Sequence, residues 1–254
     1  MSGQKGSIIN NLLKNLPKGA VAVYPWLSEQ GVYHQLADIY VKSGWIERVG
    51  RGAYKRAGEK VDWFGGVYTL QSQAEMPVYP AGKTAIELHG NAHYISARLT
   101  QEKVVLFGLP NEKLPAWFKN YSWNVQIRYV ASGLFKDVPL MGLTVFDCGN
   151  FKIKISSLER AVMEFCYDVG NNESFDGLDH IFEGLTTLRP RLIQELLEKC
   201  NSVKAKRLFM YLAEKHYHEW TKRVDLENVD FGTGNRSFCK SGHYDSKYKI
   251  VVPK

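Results

Sequence analysis

Eight polar side chains between positions 34 and 56 have the types and spacing to hydrogen-bond duplex DNA. Four of them, His34, Gln35, Asp38 and Lys42, recur at three- and four-residue intervals, which on a helix places them on one side. An amide such as Gln35 can pair with both major-groove atoms of adenine, a carboxylate such as Asp38 can accept from cytosine, and Lys42 suits a phosphate. The other four, Arg48, Arg51, Lys55 and Arg56, are cations within nine residues of one another, a density that suits the phosphate backbone or the minor groove.

The local sequence supplies elements to hold them. In GVYHQLADIYVKSGWIERVGRGAYKR, from Gly31 to Arg56, the apolar residues Tyr33, Leu36, Ile39 and Tyr40 predict one buried helical stripe. Ser43-Gly44 ends the helix, Trp45 to Val49 reads as a strand, Gly50-Arg51-Gly52 turns it, and Ala53 to Arg56 returns. Upstream, Tyr24 to Gln30 can form a short helix started by Pro25, and Ile8, Leu12, Leu13 and Leu16 predict a packing helix closed by Pro17-Lys18-Gly19. Ala20 to Tyr24 is either an extended connector or a third strand. Helix, glycine turn, helix and basic hairpin make the layout of a winged helix-turn-helix. The same layout also serves as a protein-interaction module.

Charge follows this division. Residues 1–60 carry nine Lys/Arg against four Asp/Glu, whereas residues 61–254 carry 24 against 22. Concentrated positive charge favours phosphate neutralisation with release of counterions, although a solvated surface would show the same imbalance. At 254 residues and 44% hydrophobic content the chain can build a substantial core. Its longest apolar runs, such as Val104 to Phe107, are far shorter than the ~20 residues of a membrane span, and no signal-peptide pattern opens it. A soluble cytoplasmic protein without membrane contact is expected. Cys148, Cys166, Cys200 and Cys239 are scattered without metal-ligand spacing, so reduced and mostly buried thiols are expected.

Other motifs promise chemistry that the residues do not sustain. Gly82-Lys83-Thr84 ends like a phosphate-binding loop, but Pro77 stands where its first glycine is required. Thr84 to Glu87 reads instead as a helix-capping box, as does Ser156 to Glu159. His89 and His93 stand four apart, but Gly90 interrupts them and no third ligand is evident. Glu159, Glu164 and Asp168 share one helix without forming a paired-acid motif. No catalytic residue, cofactor or metal is expected.

Beyond residue 60 the chain predicts a mixed body, an α+β arrangement following the winged head, with domains at 1–60 and 61–254. Trp63 to Ala74 reads as a helix; Val104–Phe107, Asn124–Val130, Leu143–Phe146 and Phe151–Ile155 read as strands of one sheet. Three helices follow, buried through Ala161, Val162, Phe165 and Cys166, then Phe175, Leu178, Ile181, Phe182 and Leu185, then Leu192, Ile193, Leu196 and Leu197. A further helix, from Val203 to Lys222, buries Ala205, Leu208, Phe209, Leu212 and Ala213. Opposite them Lys204, Arg207, Tyr211, Lys215, His218 and Lys222 form a basic, partly aromatic line. That line is either a solvated face or a surface for an acidic partner or RNA. Residues 229–246 read as a long loop before a last strand, Tyr248 to Val252.

The run from Gln30 to Arg56, then Trp63, Leu70-Gln71-Ser72-Gln73, Gly82 to Leu88, Ala92-His93-Tyr94, Leu106-Phe107-Gly108, Leu114 to Phe118, Ser156 to Ala161 and Tyr248 to Pro253 together resemble the AbiEi antitoxins of bacterial abortive-infection toxin–antitoxin systems. The resemblance spans essentially the whole chain and lies in the order of the motifs. It implies a phage-defence antitoxin and transcriptional autorepressor, binding inverted repeats in its own promoter through the winged helix as a monomer or a DNA-bound dimer. It also implies that the C-terminal domain counteracts a nucleotidyltransferase toxin, with or without direct contact. The basic line from Lys204 to Lys222 is the candidate antitoxicity surface. The alternatives are a nuclease delivered by a DNA-binding head and a protein-interaction scaffold.

Overall fold

The computed structural model describes residues 2–90 and 103–253, with side chains from residue 8. Two compact units emerge. The first contains residues up to 79, 98–131 and 145–154, and the second 80–97, 132–144 and 155–254.

The first unit begins with α1 (Ser2–Asn15), β1 (Ala22–Val23), α2 (Tyr24–Glu29), α3 (His34–Lys42), β2 (Ile46–Gly50) and β3 (Ala53–Arg56). The ambiguous segment after α1 is a strand, because β1 pairs with β3 and completes a three-stranded sheet in the order β1-β3-β2. At the hairpin tip Gly52 takes φ +70, a conformation open to glycine at little cost. Beneath the sheet Ile9, Leu12, Leu16, Leu27, Leu36, Ala37, Tyr40, Ile46 and Tyr54 form one core. The buried stripe of α3 is thus Leu36, Ala37 and Tyr40, while Tyr33 and Ile39 are 51% and 41% exposed. Each residue advances the helix by about 100°. Ile39 therefore falls on the opposite side of Leu36 from Ala37, and the small alanine, not the isoleucine, faces the core.

Edge strand β1 would present unpaired backbone groups, and α4 (Trp63–Ser72) satisfies them with side chains. Thr69 Oγ1 donates to the Val21 carbonyl (2.7 Å) and accepts from its amide (3.2 Å), and Gln73 accepts from the Val23 amide at 2.9 Å. The helix can lie this close because of Gly65, where an added Cβ would stand 1.7 Å from the Gly19 carbonyl oxygen. Residues 61–79 consequently belong to the same unit as the first 60.

The remaining strands divide differently from the single sheet expected. β4 (Tyr79–Pro80), β5 (Lys103–Gly108) and β6 (Gln126–Ala131) form one sheet, and β7 (Leu143–Asp147) and β8 (Lys152–Ser156) form another. β5 and β6 run parallel, which requires a crossover, and α6 (Ala116–Asn120) lies within it, α5 being Gly82–Gly90. After β6 the chain enters the second unit, where Leu134 and Phe135 join its core.

That unit packs α7 (Leu158–Asp168), α8 (Phe175–Glu183), α9 (Pro190–Lys199) and α10 (Val203–Lys215) around a core in which every apolar position expected for α7 is buried. Both proposed capping boxes shift. α5 starts at Gly82, so Thr84 is a buried residue inside the helix. α7 is capped by Ser157, whose side chain accepts from Arg160 N, rather than by Ser156. The long loop after residue 229 contains β9 (Arg236–Ser237) and β10 (His243–Asp245), which flank β11 (Ile250–Val252) in the order β10-β11-β9. Cys148, Cys166 and Cys200 are buried, and none of the four cysteines is joined in a disulfide. No described helix is long and apolar enough to cross a membrane.

Candidate nucleic-acid interface

The outward face of α3 carries His34, Gln35, Asp38 and Lys42, all exposed. His34 stacks on Tyr24 of α2, ring centroids 3.6 Å apart and 5° from parallel, so the turn between the helices fixes the first residue of α3. Asp38 accepts from Arg48 at 2.6 Å, a bond from wing to helix. Both partners are about half exposed, and a pair in water adds little stability. It sets the position of Arg48, which also lies 5.5 Å over the Tyr54 ring.

The other cations differ in what they touch. Arg51 is exposed at the hairpin tip, and neither it nor Lys42 has an ion pair among the described residues. Lys55 is held by Glu47 at 2.9 Å and by the Glu59 carbonyl at 2.7 Å. The Gly58 amide and Lys55 together keep the Glu47 carboxyl below its ordinary range. Arg56 is half-buried and donates to the Leu13 and Leu16 carbonyls at the end of α1. A cation there satisfies orphan carbonyls and the helix dipole. The wing's return strand therefore spends its cations on the protein itself. Around α3 the exposed apolar residues are Tyr33, Ile39 and Trp45; the stripe 36, 37, 40 would have revealed Ile39 had Ala37 been given the weight of a larger residue, whereas Tyr33 precedes the helix as its N-cap and Trp45 follows it.

The basic line expected along α10 is not a surface line. The helix ends at Lys215, His216 caps it, and Tyr217 at φ +53 turns the chain into a 3-10 segment, Glu219–Arg223. Arg207 is 2% exposed and His218 5%. Arg207 donates to the carbonyls of Phe231 (2.9 Å), Gly232 (3.0 Å), Gly234 (2.6 Å) and Lys249 (3.3 Å). His218 meets the Phe182 carbonyl at 2.6 Å. Lys204 lies over Phe238 at 4.6 Å, Lys215 pairs with Asp179 at 2.5 Å, and Lys222 with Glu219 at 2.8 Å. Tyr211, Lys215 and Lys222 retain exposure, and Tyr217, at 89%, joins them. The sequence carries no turn residue at 216–218 to announce the break.

The three carboxylates of α7 are buried, at 3%, 0% and 4% for Glu159, Glu164 and Asp168. Glu164 bonds Arg160, Ser156 and the Gly82 amide, and Asp168 accepts from Asn172 at 3.1 Å. Glu159 accepts from Arg189 Nε, Nη2 and backbone amide at 2.8–2.9 Å. Burial would raise the Glu159 carboxyl, but the Arg189 hydrogen bonds and charge outweigh it and hold it at about 2. A depressed carboxylate stabilises the fold above its unfolded value and loses that stability as pH falls. Acidification from about pH 4.5 to 2 should thus remove about 1–2 kcal/mol, discounted because Arg189 is largely in water. Urea titrations across this window check it, and Glu159→Gln should flatten the difference. His89 is fixed on the Ser156 carbonyl at 2.8 Å, while His93 lies outside the described residues. No group of three or more His, Cys, Asp or Glu among the described residues could hold a metal.

Residues 101–253 match the model of the family described as "Transcriptional regulator, AbiEi antitoxin, Type IV TA system". Residues 5–97 match that of its N-terminal domain, "Transcriptional regulator, AbiEi antitoxin N-terminal domain". Among solved structures the chain resembles the RV2827C protein from Mycobacterium tuberculosis, with a TM-score of 0.62 and 14% identity over 98% of this chain and 91% of that one; at that identity the likeness is one of fold. No curated protein matches.

Proposed function

Because this chain belongs to the AbiEi family of type IV toxin–antitoxin transcriptional regulators, we propose that it represses its own operon by binding promoter inverted repeats through α3 and the wing. Residues 1–60 supply the DNA-contacting surface, and residues 61–254 counteract a cognate nucleotidyltransferase toxin. The observation that carries this is the continuity of the polar face of α3 with the wing, through the Asp38–Arg48 pair. In the major groove Gln35 reads a base, Tyr33 and Ile39 offer apolar contact to a thymine methyl, and Lys42 and Arg51 hold phosphate. Arg48, positioned by Asp38, joins them. Lys55 reaches phosphate only by leaving Glu47, and Arg56 acts by anchoring α1. In the second unit the residues left to meet the toxin are Tyr211, Lys215, Tyr217 and Lys222.

Fluorescence anisotropy with the full chain tests the DNA half. Its own upstream region should bind more tightly than a scrambled duplex, with affinity falling steeply as salt rises. Lys42→Ala and Arg51→Ala should weaken both duplexes about equally and each reduce the salt slope by about one. Gln35→Ala should instead erode the preference, by about 1–3 kcal/mol for a bidentate contact. A folded chain that binds neither duplex at low salt would remove the proposal. Equal loss on both duplexes would take Gln35 out of base reading.

A further inference from the structure

A pocket in the first unit is lined by no residue of α3. The crossover from β5 to β6 encloses this pocket of about 550 Å³, within the range of small-molecule sites. Its walls are aromatic. Tyr121 and Trp123 stand edge to face at 4.6 Å, Phe118 lies 4.9 Å from Trp123, and the Trp123 indole is fixed by donating to the Phe118 carbonyl at 2.7 Å. Tyr129 of β6 adds a ring with a hydroxyl bonded to the Glu112 carbonyl at 3.2 Å. The backbone makes room for that ring: a Cβ at Gly108 would stand 2.2 Å from the Tyr129 oxygen. Burial, then the Glu112 charge, push Tyr129 up to about 12, so it remains a donor at any physiological pH. Two exposed lysines, Lys113 and Lys119, also line it, against one carboxylate, Glu112.

The geometry points to a binding site for a free nucleoside monophosphate. Aromatic walls accept a base of any kind, the Tyr129 oxygen, whose hydrogen goes to the Glu112 carbonyl, can accept from an amino group of the base, and the lysines balance a phosphate. The volume suits a whole nucleotide better than a small aromatic acid, which would leave much of it empty.

This site also touches the elements of the proposed DNA interface. At Gly50, the last residue of β2, a Cβ would stand 2.9 Å from Trp117 Cβ, and at Gly66 of α4 one would stand 2.5 Å from Trp123. Contacts this tight allow little independent movement. A ligand that fixes Trp123 and α6 therefore also fixes the turn end of β2, next to Arg51, so occupancy changes DNA affinity. This second step rests on the DNA-binding function proposed above; the pocket's own binding does not.

The test uses the full chain. Titration with AMP, GMP, CMP and UMP, followed by tryptophan fluorescence and calorimetry, should give saturable one-to-one binding for at least one. Trp123→Phe should remove most of the fluorescence change. Tyr121→Ala and Lys119→Glu should each weaken binding about tenfold or more, with melting temperatures unchanged. Absence of saturable binding by all four in the folded chain overturns the site, whatever the DNA result. Saturation by indole-3-acetate alone overturns the nucleotide assignment. With binding established, anisotropy on the upstream duplex at saturating nucleotide should show DNA affinity shifted about fivefold or more, in the range of ordinary coupling between sites. An unchanged value overturns the coupling and leaves the pocket standing.

Discussion

Replacing Arg160 with methionine is expected to destabilise the second unit by about 3–5 kcal/mol, because it strands a buried carboxylate. Arg160 and Glu164 are 1% and 0% exposed and join through Nε and Oε1 at 2.8 Å. The second carboxylate oxygen accepts from the Ser156 hydroxyl at 2.7 Å and the Gly82 amide at 3.1 Å. The arginine in turn donates to the Pro139 and Met141 carbonyls and stacks over Phe135 at 4.7 Å. One ion pair thus fixes the segment 135–141, the end of β8 and the starts of α5 and α7. Urea denaturation followed by circular dichroism measures the loss. The double variant Arg160→Met/Glu164→Leu should recover part of it, since no charge then remains buried. A single variant within about 1 kcal/mol of the parent would show that water reaches Glu164.

The parts legible in the sequence are those whose causes are local. The winged layout follows from glycines at the turns and proline at a helix start, and the helices of the second unit follow from their apolar spacing. What escaped depends on partners distant along the chain. Thr69 and Gln73 look like ordinary polar residues of α4 until β1 lies beside them. Glu164, 82 residues further along the chain, accepts the Gly82 amide at the start of α5, which begins two residues before the expected threonine cap. The single sheet became two because the chain leaves β6 through residues 132–144 of the second unit, and β7 and β8 then pair with each other. The polar face of α3 was legible, but which wing cations remain available to a ligand was not: Arg48, Lys55 and Arg56 have similar sequence surroundings and three different partners.

Arg207 makes the same point with the larger consequence. At three- and four-residue spacing from Lys204 and Tyr211 it counts as part of an outward basic line, yet residues 229–252 fold over it and it supports four carbonyls from that tail. Arg207→Met should cost about 3–4 kcal/mol, the loss of several charge-assisted bonds offset in part by water reaching the freed carbonyls. The tail should detach first, so hydrogen exchange at Ser237, Phe238, Val251 and Val252 should accelerate while the first unit is unchanged. Lys215→Glu/Lys222→Glu gives the contrast, since both side chains are substantially exposed and their pairs are worth about 1 kcal/mol or less. In cells carrying the toxin, Arg207→Met should fail to rescue growth because the second unit is lost. The lysine variant should stay folded, and failure of that folded protein to rescue would place the toxin against Lys215 and Lys222. Full rescue by it moves the toxin contact elsewhere on the unit, and wild-type exchange at Val251 in Arg207→Met would refute the anchoring role of the arginine.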